Sequence, residues 1–215
     1  MHFPHHAWTA GRDKKLSPVH AKVLELGGQM GAYNGWERAN WFAKAGDDTS
    51  EEATQTWDRN GPWAPRIKEE VEAVRDSVGV LDLPGFSRFN LSGEGAAEYL
   101  RGMISGVLPK VGRMNLAYFP DSRGRILTEM SIMRHDEDFF TLITAAVAQW
   151  HDFDVLNKNL PAGLTLTDHT DEYSTLIVSG PKSRALFEAM GTEADLTAGW
   201  LSTQPAKVAG INCAL

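Results

Sequence analysis

Cysteine is nearly absent: the 215-residue chain has one, Cys213. A disulfide framework and a cysteine-built zinc site are both excluded. Positive charge is short as well, with 21 Lys and Arg against 28 Asp and Glu and a net charge of −7. A duplex binder needs a basic face to neutralise phosphates, so nucleic acid is not an expected partner. No apolar run approaches the ~20 residues that cross a bilayer, and no membrane association is expected. The start, MHFPHHAWTAGRDKK, lacks the apolar stretch of a secretory signal. A soluble chain is expected, cytoplasmic or in an organelle lumen. No glycine-rich dinucleotide fingerprint follows a strand pattern, and there is no phosphate-cradling Gly-Lys-Ser/Thr loop or serine elbow. No metal is expected: no histidine pair flanks a glutamate at helical spacing, and His5-His6 suits a solvated terminal pair better than a site. His151 and Asp152 could pair as a base and its orienter. Neighbours on a helix point apart, however, so capping or packing fits them better.

What is present reads as globular, with 42% hydrophobic and 23% charged residues. The length suits one large domain or two small ones. Two regimes divide the chain near residue 64. The first is rich in Trp, Gly, Asn and Asp. A helix is expected at SPVHAKVLELGGQMG, capped by Ser17, with Pro18 at its first position and Gly27-Gly28 at its end. YNGWERANWF, residues 33–42, crowds four aromatics around Gly35 and two asparagines, which break any regular period, so it reads as a loop. AGDDTSEEATQTWDRNGPWAP reads as surface loop too.

From residue 66 the pattern tightens. Ile67, Val71, Val74 and Val78 fall at helical spacing. SRFNLSG reads as a strand, and EGAAEYLRGMI as a helix capped by Ser92. Strands follow at NLAYFP, RILTEMSIMRH and FFTLIT, with turns at DSRG and DED. AQWHDFDVLNKNL is helical, LTLTDHT and STLIVSG are strands, and PKSRALFEAMG is a helix starting at Pro181. Helices among hairpin-joined strands indicate an α+β fold, an antiparallel or mixed sheet with flanking helices.

The residues themselves carry a resemblance. GWERANWF closely resembles the Gly-Trp-Glu-Arg-Pro-Asn-Trp-Phe signature of the dimethylglycine and sarcosine dehydrogenase family. The rest follows in register: EEVEAVRDSVGVLDLPGFSRFNLSG, LPKVGRMNLAYFPDSRGRILTEMSIMRHDEDFFTLIT and SGPKSRALFEAM. These look like the N-terminal half of the folate-binding domain shared with the glycine-cleavage T-protein, an aminomethyltransferase. The resemblance implies that residues 1–64 are the end of a flavin-oxidoreductase part with its aromatic junction. Residues 65–215 are implied to be a partial aminomethyltransferase-like folate-binding domain. In that family FAD is held upstream, and a Gly-Glu-x-Gly-Trp-Glu segment that anchors the pterin lies downstream. A fragment or a split subunit is expected, needing further domains or partner subunits. The aromatic segment would serve the junction between flavin and folate parts, or else close a long loop locally.

The resemblance also implies a site. The acid that orients folate and manages charge during one-carbon transfer maps to Glu129, with Thr128 where the family has a first acid. Glu129 replaces the usual aspartate, one methylene longer. The pterin slot maps to Phe86, Leu116, Thr141 and Ile143, with Thr141 replacing a larger residue. By period these same residues are simply inward-facing strand positions, and for Leu116 and Ile143 the core reading is the stronger one; Glu129 can also be read as a solvated strand residue on a half-apolar face where an unpaired charge would be costly. The implied cofactors are tetrahydrofolate, at a site incomplete in this chain, and FAD outside it. Three functions follow: the one-carbon-capturing part of an FAD- and tetrahydrofolate-dependent N-demethylating dehydrogenase, a non-catalytic docking subunit of an oxidase complex, or a purely structural domain. A eukaryotic source would make the compartment the mitochondrial matrix.

Overall fold

The computed structural model describes residues 7–215, so the His5-His6 pair lies outside the described residues. In chain order the elements begin with α1 (His20–Glu25), β1 (Gly28–Tyr33), β2 (Trp36–Phe42), α2 (Glu51–Thr54), α3 (Trp63–Asp76) and β3 (Gly79–Asp82). There follow β4 (Phe86–Ser92), α4 (Ala96–Met103), β5 (Arg113–Pro120), β6 (Ile126–Asp136), β7 (Phe139–Ala145) and α5 (Gln149–Asn157). The last are β8 (Thr165–Asp168), β9 (Leu176–Ser179), α6 (Ser183–Ala189), β10 (Pro205–Val208) and β11 (Ile211–Ala214). No helix among the described residues is long and apolar enough to cross a membrane. The chain divides into two compact units, one running to Gly85 and taking in Ser174–Leu186, the other Phe86–Tyr173 with Phe187–Leu215.

In the first unit the expected aromatic loop is a β-hairpin. β1 and β2 pair antiparallel around Asn34-Gly35, whose φ angles of 53° and 85° are those of a tight hairpin turn. The asparagine and glycine that broke the period are the turn itself. A register shift opposite Gln29 and Met30 places an extra residue in β2 and changes its parity, so Trp36 and Trp41, five apart, are both buried. Glu37 is buried beside them. Its carboxylate accepts two bonds from the Arg12 guanidinium, each 2.8 Å, and one from the Asp13 backbone N–H at 2.9 Å. Arg12 holds the Glu37 carboxyl below the usual carboxylate range, and Glu37 raises the guanidinium in turn.

Other end signals also resolve differently from expectation. Ser17 does not cap α1, which starts at His20 after Val19; its hydroxyl donates to Asp82 Oδ2 at 2.5 Å. The AGDDT… segment contains one helical turn, α2, where Ser50 Oγ accepts from the Ala53 N–H. Gly27, with φ 90°, ends α1, and Gly28 opens β1. β3 pairs with β9 in a separate two-stranded ladder.

The second unit is built on a five-stranded antiparallel sheet in the order β5-β6-β7-β4-β8. One face carries the core: Phe89 and Leu91, Phe119, Met130 and Ile132, Phe140 and Leu142, packed with Leu100 of α4 and Leu156 of α5. α4 is not capped by Ser92. Asp138, in the β6–β7 turn, accepts the Gly95 and Ala97 N–H groups at 3.2 and 2.9 Å. Those bonds pull its carboxyl below the ordinary value.

The Glu37 pair tests the first unit. Glu37→Gln keeps the shape, loses the charge and leaves Arg12 half-satisfied. It should lower unfolding free energy by about 2 kcal/mol, since Arg12 can partly return to water. Urea denaturation reads this out, and an unchanged midpoint would show that the pair does not hold the hairpin.

Candidate functional site

Side chains leave a strand alternately, so the core residues of the five-stranded sheet consign their neighbours to the other face. The register aligns Leu116, Ser131, Ile143 and Arg88 in one row across four strands. The next row is Met114, Met133, Thr141 and Asn90. On the other side of the first row, Tyr118 faces Glu129. Glu129, Leu116, Thr141 and Ile143 therefore share this face, and Phe86, two residues from Arg88 on β4, shares it too.

The core reading of Leu116 and Ile143 is overturned: the core packs on the opposite side, and Leu116 is 51% exposed. Tyr118 and Leu127 are exposed with it. The Glu129 carboxylate makes no hydrogen bond or ion pair within the described residues, and it stands exposed. Its carboxylate keeps its water, so the cost expected on a half-apolar face is not incurred. Phe86 is half-buried at the head of β4. The face is only partly an apolar slot, because polar groups lie between its apolar ones.

Sequence reading missed three of these. Arg88 is buried, and its Nη1 donates to the Phe86 and Tyr173 carbonyls, both at 3.0 Å; burial lowers its pKa. Asn90 and His135 flank Thr141, whose Oγ1 donates to Asn90 Oδ1 at 2.7 Å and meets His135 Nε2 at 2.8 Å. The polar residues alternating with Phe89 and Leu91 in SRFNLSG were the available signal for Arg88 and Asn90. His151 and Asp152 do meet, against expectation: Nδ1 lies 2.8 Å from Oδ1. Asp152 is wholly buried and also accepts from Thr144 Oγ1. The imidazole turns back onto the carboxylate while Asp152 ties the first turn of α5 to β7. That is a packing role.

One feature bears on flavin. Between β4 and α4 the chain reads Gly93-Glu94-Gly95, with φ of 119° and 94° at the glycines, a strand–glycine–helix passage that the sequence reading did not register. Such a helix start could receive a pyrophosphate. Here Asp138 already occupies the N–H groups, and Glu94 adds negative charge. The passage does not fit FAD.

Against this geometry the likenesses to known proteins can be set. The family model "GCVT N-terminal domain" matches residues 19–215. Mitochondrial dimethylglycine dehydrogenase of Rattus norvegicus is 29% identical over 97% of this chain and 25% of its own length. The formaldehyde-forming 4-methylaminobutanoate oxidase of Paenarthrobacter nicotinovorans is 31% identical over 90% of this chain and 23% of its own. An aminomethyltransferase of Deinococcus deserti is 25% identical over 81% of this chain and 43% of its own. The crystal structure of glycine cleavage system aminomethyltransferase T from Bartonella henselae superposes with a TM-score of 0.70 at 19% identity, covering 88% of this chain and 46% of that one. The fold is thus the glycine-cleavage T-protein-like α+β fold, and the chain spans less than half the length of each of these relatives.

His135 gives the face a pH dependence. Burial lowers its pKa from the ordinary 6.5. The unfolded chain takes up that proton before the folded one does. Its contribution to stability is therefore whole above pH 6.5 and is lost as pH falls through the lower folded value. Denaturation midpoints between about pH 7.5 and 5 should fall less steeply in His135→Phe than in the wild type. Parallel slopes would remove His135 from the titrating groups.

Proposed function

Because the chain belongs to the GCVT N-terminal domain family, we propose that it is the tetrahydrofolate-handling part of an FAD- and tetrahydrofolate-dependent N-demethylating dehydrogenase of the dimethylglycine or sarcosine type. On this reading a flavin part outside residues 65–215 oxidises an N-methyl amine, with residues 1–64 as its end. The five-stranded sheet holds tetrahydrofolate, so that the one-carbon unit leaves as methylene-tetrahydrofolate rather than formaldehyde. The pterin-anchoring glutamate comes from a further segment or partner. A mitochondrial matrix location suits a eukaryotic source, since the related rat enzyme is mitochondrial.

The observation that carries the reading is Glu129: an exposed carboxylate, unpartnered among the described residues, on the same sheet face as Leu116 and Ile143. Folate when bound supplies the amines that take up the one-carbon unit. Glu129 orients those N–H groups and accepts a proton, its extra methylene extending its reach over the face. Leu116, Ile143 and Phe86 offer apolar contact to a flat ring, and Thr141 closes the slot on one side. The second reading, a docking subunit without chemistry, draws on the exposed Leu116, Tyr118 and Leu127 and on Thr128, which leaves one acid instead of two.

In the whole enzyme Glu129→Gln should shift product from methylene-tetrahydrofolate toward free formaldehyde by roughly tenfold or more, while amine oxidation, followed separately by dye reduction, stays unchanged. An unaltered partition would favour the docking reading. The chain from Met1 to Leu215, purified alone, should show no flavin absorbance and no turnover of dimethylglycine or sarcosine. A yellow, active protein would put the flavin site within these residues and overturn the assignment of roles.

A further inference from the structure

The turn that leads into β5 brings two cations together. The Arg113 N–H donates to the Lys110 carbonyl at 3.0 Å, closing a β-turn in which Gly112 takes a left-handed φ of 73°. The α-carbons of Lys110 and Arg113 therefore lie within about 7 Å of each other. Neighbouring backbone holds the turn from two sides. The Gly112 N–H donates to Arg134 O at 2.8 Å, and the Gly112 carbonyl accepts from the Thr203 N–H at 2.9 Å. Arg134 Nη1 reaches Pro109 O as well, at 3.3 Å.

Neither cation is neutralised. Lys110 is exposed, and its ammonium makes no hydrogen bond or ion pair among the described residues. The half-buried Arg113 guanidinium donates to one neutral group, the Ser202 hydroxyl at 3.0 Å, and lies against Gly199. The register sets Arg134 directly opposite Arg113, and like charges so placed repel. Arg134 has the Glu137 carboxylate 2.6 Å away, whereas Arg113 has no carboxylate among the described residues. Two uncompensated positive charges thus meet in a chain whose net charge is −7.

Lys110 and Arg113 line an open cleft of about 490 Å³ together with Pro109, Met114 and Asn115. No acid shares the lining. Asn115 is fixed there, its Nδ2 donating to Val107 O at 2.7 Å. A compact dianion suits two cations converging from one turn; a dicarboxylate would carry its charges apart. The guanidinium offers a fork to phosphoryl oxygens, and the ammonium adds a point charge. The cleft is much larger than one phosphate, since a single water takes about 30 Å³ of liquid volume. Pro109 and Met114 make the rest of its wall apolar.

We propose that Lys110 and Arg113 form a binding site for a phosphomonoester, the two cations holding the phosphate while the organic part lies along Pro109 and Met114. The site stands apart from the folate reading, because it lies at the head of β5 and uses neither Glu129 nor the slot beside it.

Calorimetric titration of the whole protein with inorganic phosphate and with phenyl phosphate tests this. Both should bind, phenyl phosphate about tenfold more tightly, and added salt should weaken both. Equal affinities would assign the cleft to free phosphate and overturn the ester. Lys110→Met should weaken phenyl phosphate binding about tenfold and leave the urea midpoint unmoved, since the ammonium holds nothing in the free protein. Arg113→Lys, which keeps the charge and loses the fork, should lose less than Arg113→Gln. Undiminished binding in both Lys110→Met and Arg113→Gln, or no binding of either probe to the wild type, would overturn the site. Saturating tetrahydrofolate should leave the phenyl phosphate affinity unchanged. Competition between the two would give the cleft to the folate face, overturning the separate site while leaving the folate reading in place.

Discussion

Strand alternation is the constraint on which the second unit depends. Six core side chains, Phe89, Leu91, Met130, Ile132, Phe140 and Leu142, fix the facing of β4, β6 and β7, and each is at most 1% exposed. Their burial drives folding, at roughly 1.5–3 kcal/mol per side chain. Slipping any of these strands by one residue would turn that apolar set into water and drive Arg88, Glu129 or Thr141 into the core. The open face is therefore arranged by residues that never touch it. A carboxylate on this face needs no dedicated support, because the core already holds its strand in register.

The same logic separates what the sequence reveals from what it conceals. β4 to β9 and most helices were legible because each has its own period, set by its own residues. The β1–β2 hairpin was not, because Asn34-Gly35 is a turn signal lodged inside an aromatic run and was weighed as a break rather than a centre. The cap of α4 was hidden for a different reason: Asp138 is more than forty positions from the N–H groups it receives, and no local pattern points to it. Leu116 and Ile143 were read as core from strand period and apolarity. Period locates a residue on one of two faces but does not say which face is covered.

Glu37 illustrates a polar residue that sequence reading passes over. It sits within the aromatic motif and looks like one of its spacers. In the fold it is as buried as the tryptophans and draws Arg12 and Asp13 alongside β2. A buried carboxylate held this way gives little net stability but is costly to leave unpaired, so it specifies where the segment before α1 must run. The aromatic surface of the motif is spent on Trp36 and Trp41, both buried, while Tyr33 stays out in solvent with Arg38 stacked on its ring.

Thr141 joins these observations. Taken alone, a small polar residue in place of a larger one weakens an apolar slot. In the fold its hydroxyl is the link between Asn90 and His135, and a larger apolar side chain there could accept no hydrogen bond from Nε2. The same chain needs the bulge that frees His135 from strand pairing, and it needs Asn90 two positions along from Arg88 on β4. Three residues that look unrelated in sequence thus depend on one another physically. The change at Thr141 is one part of an altered polar arrangement of the face, and judging it as a lost apolar contact misreads it.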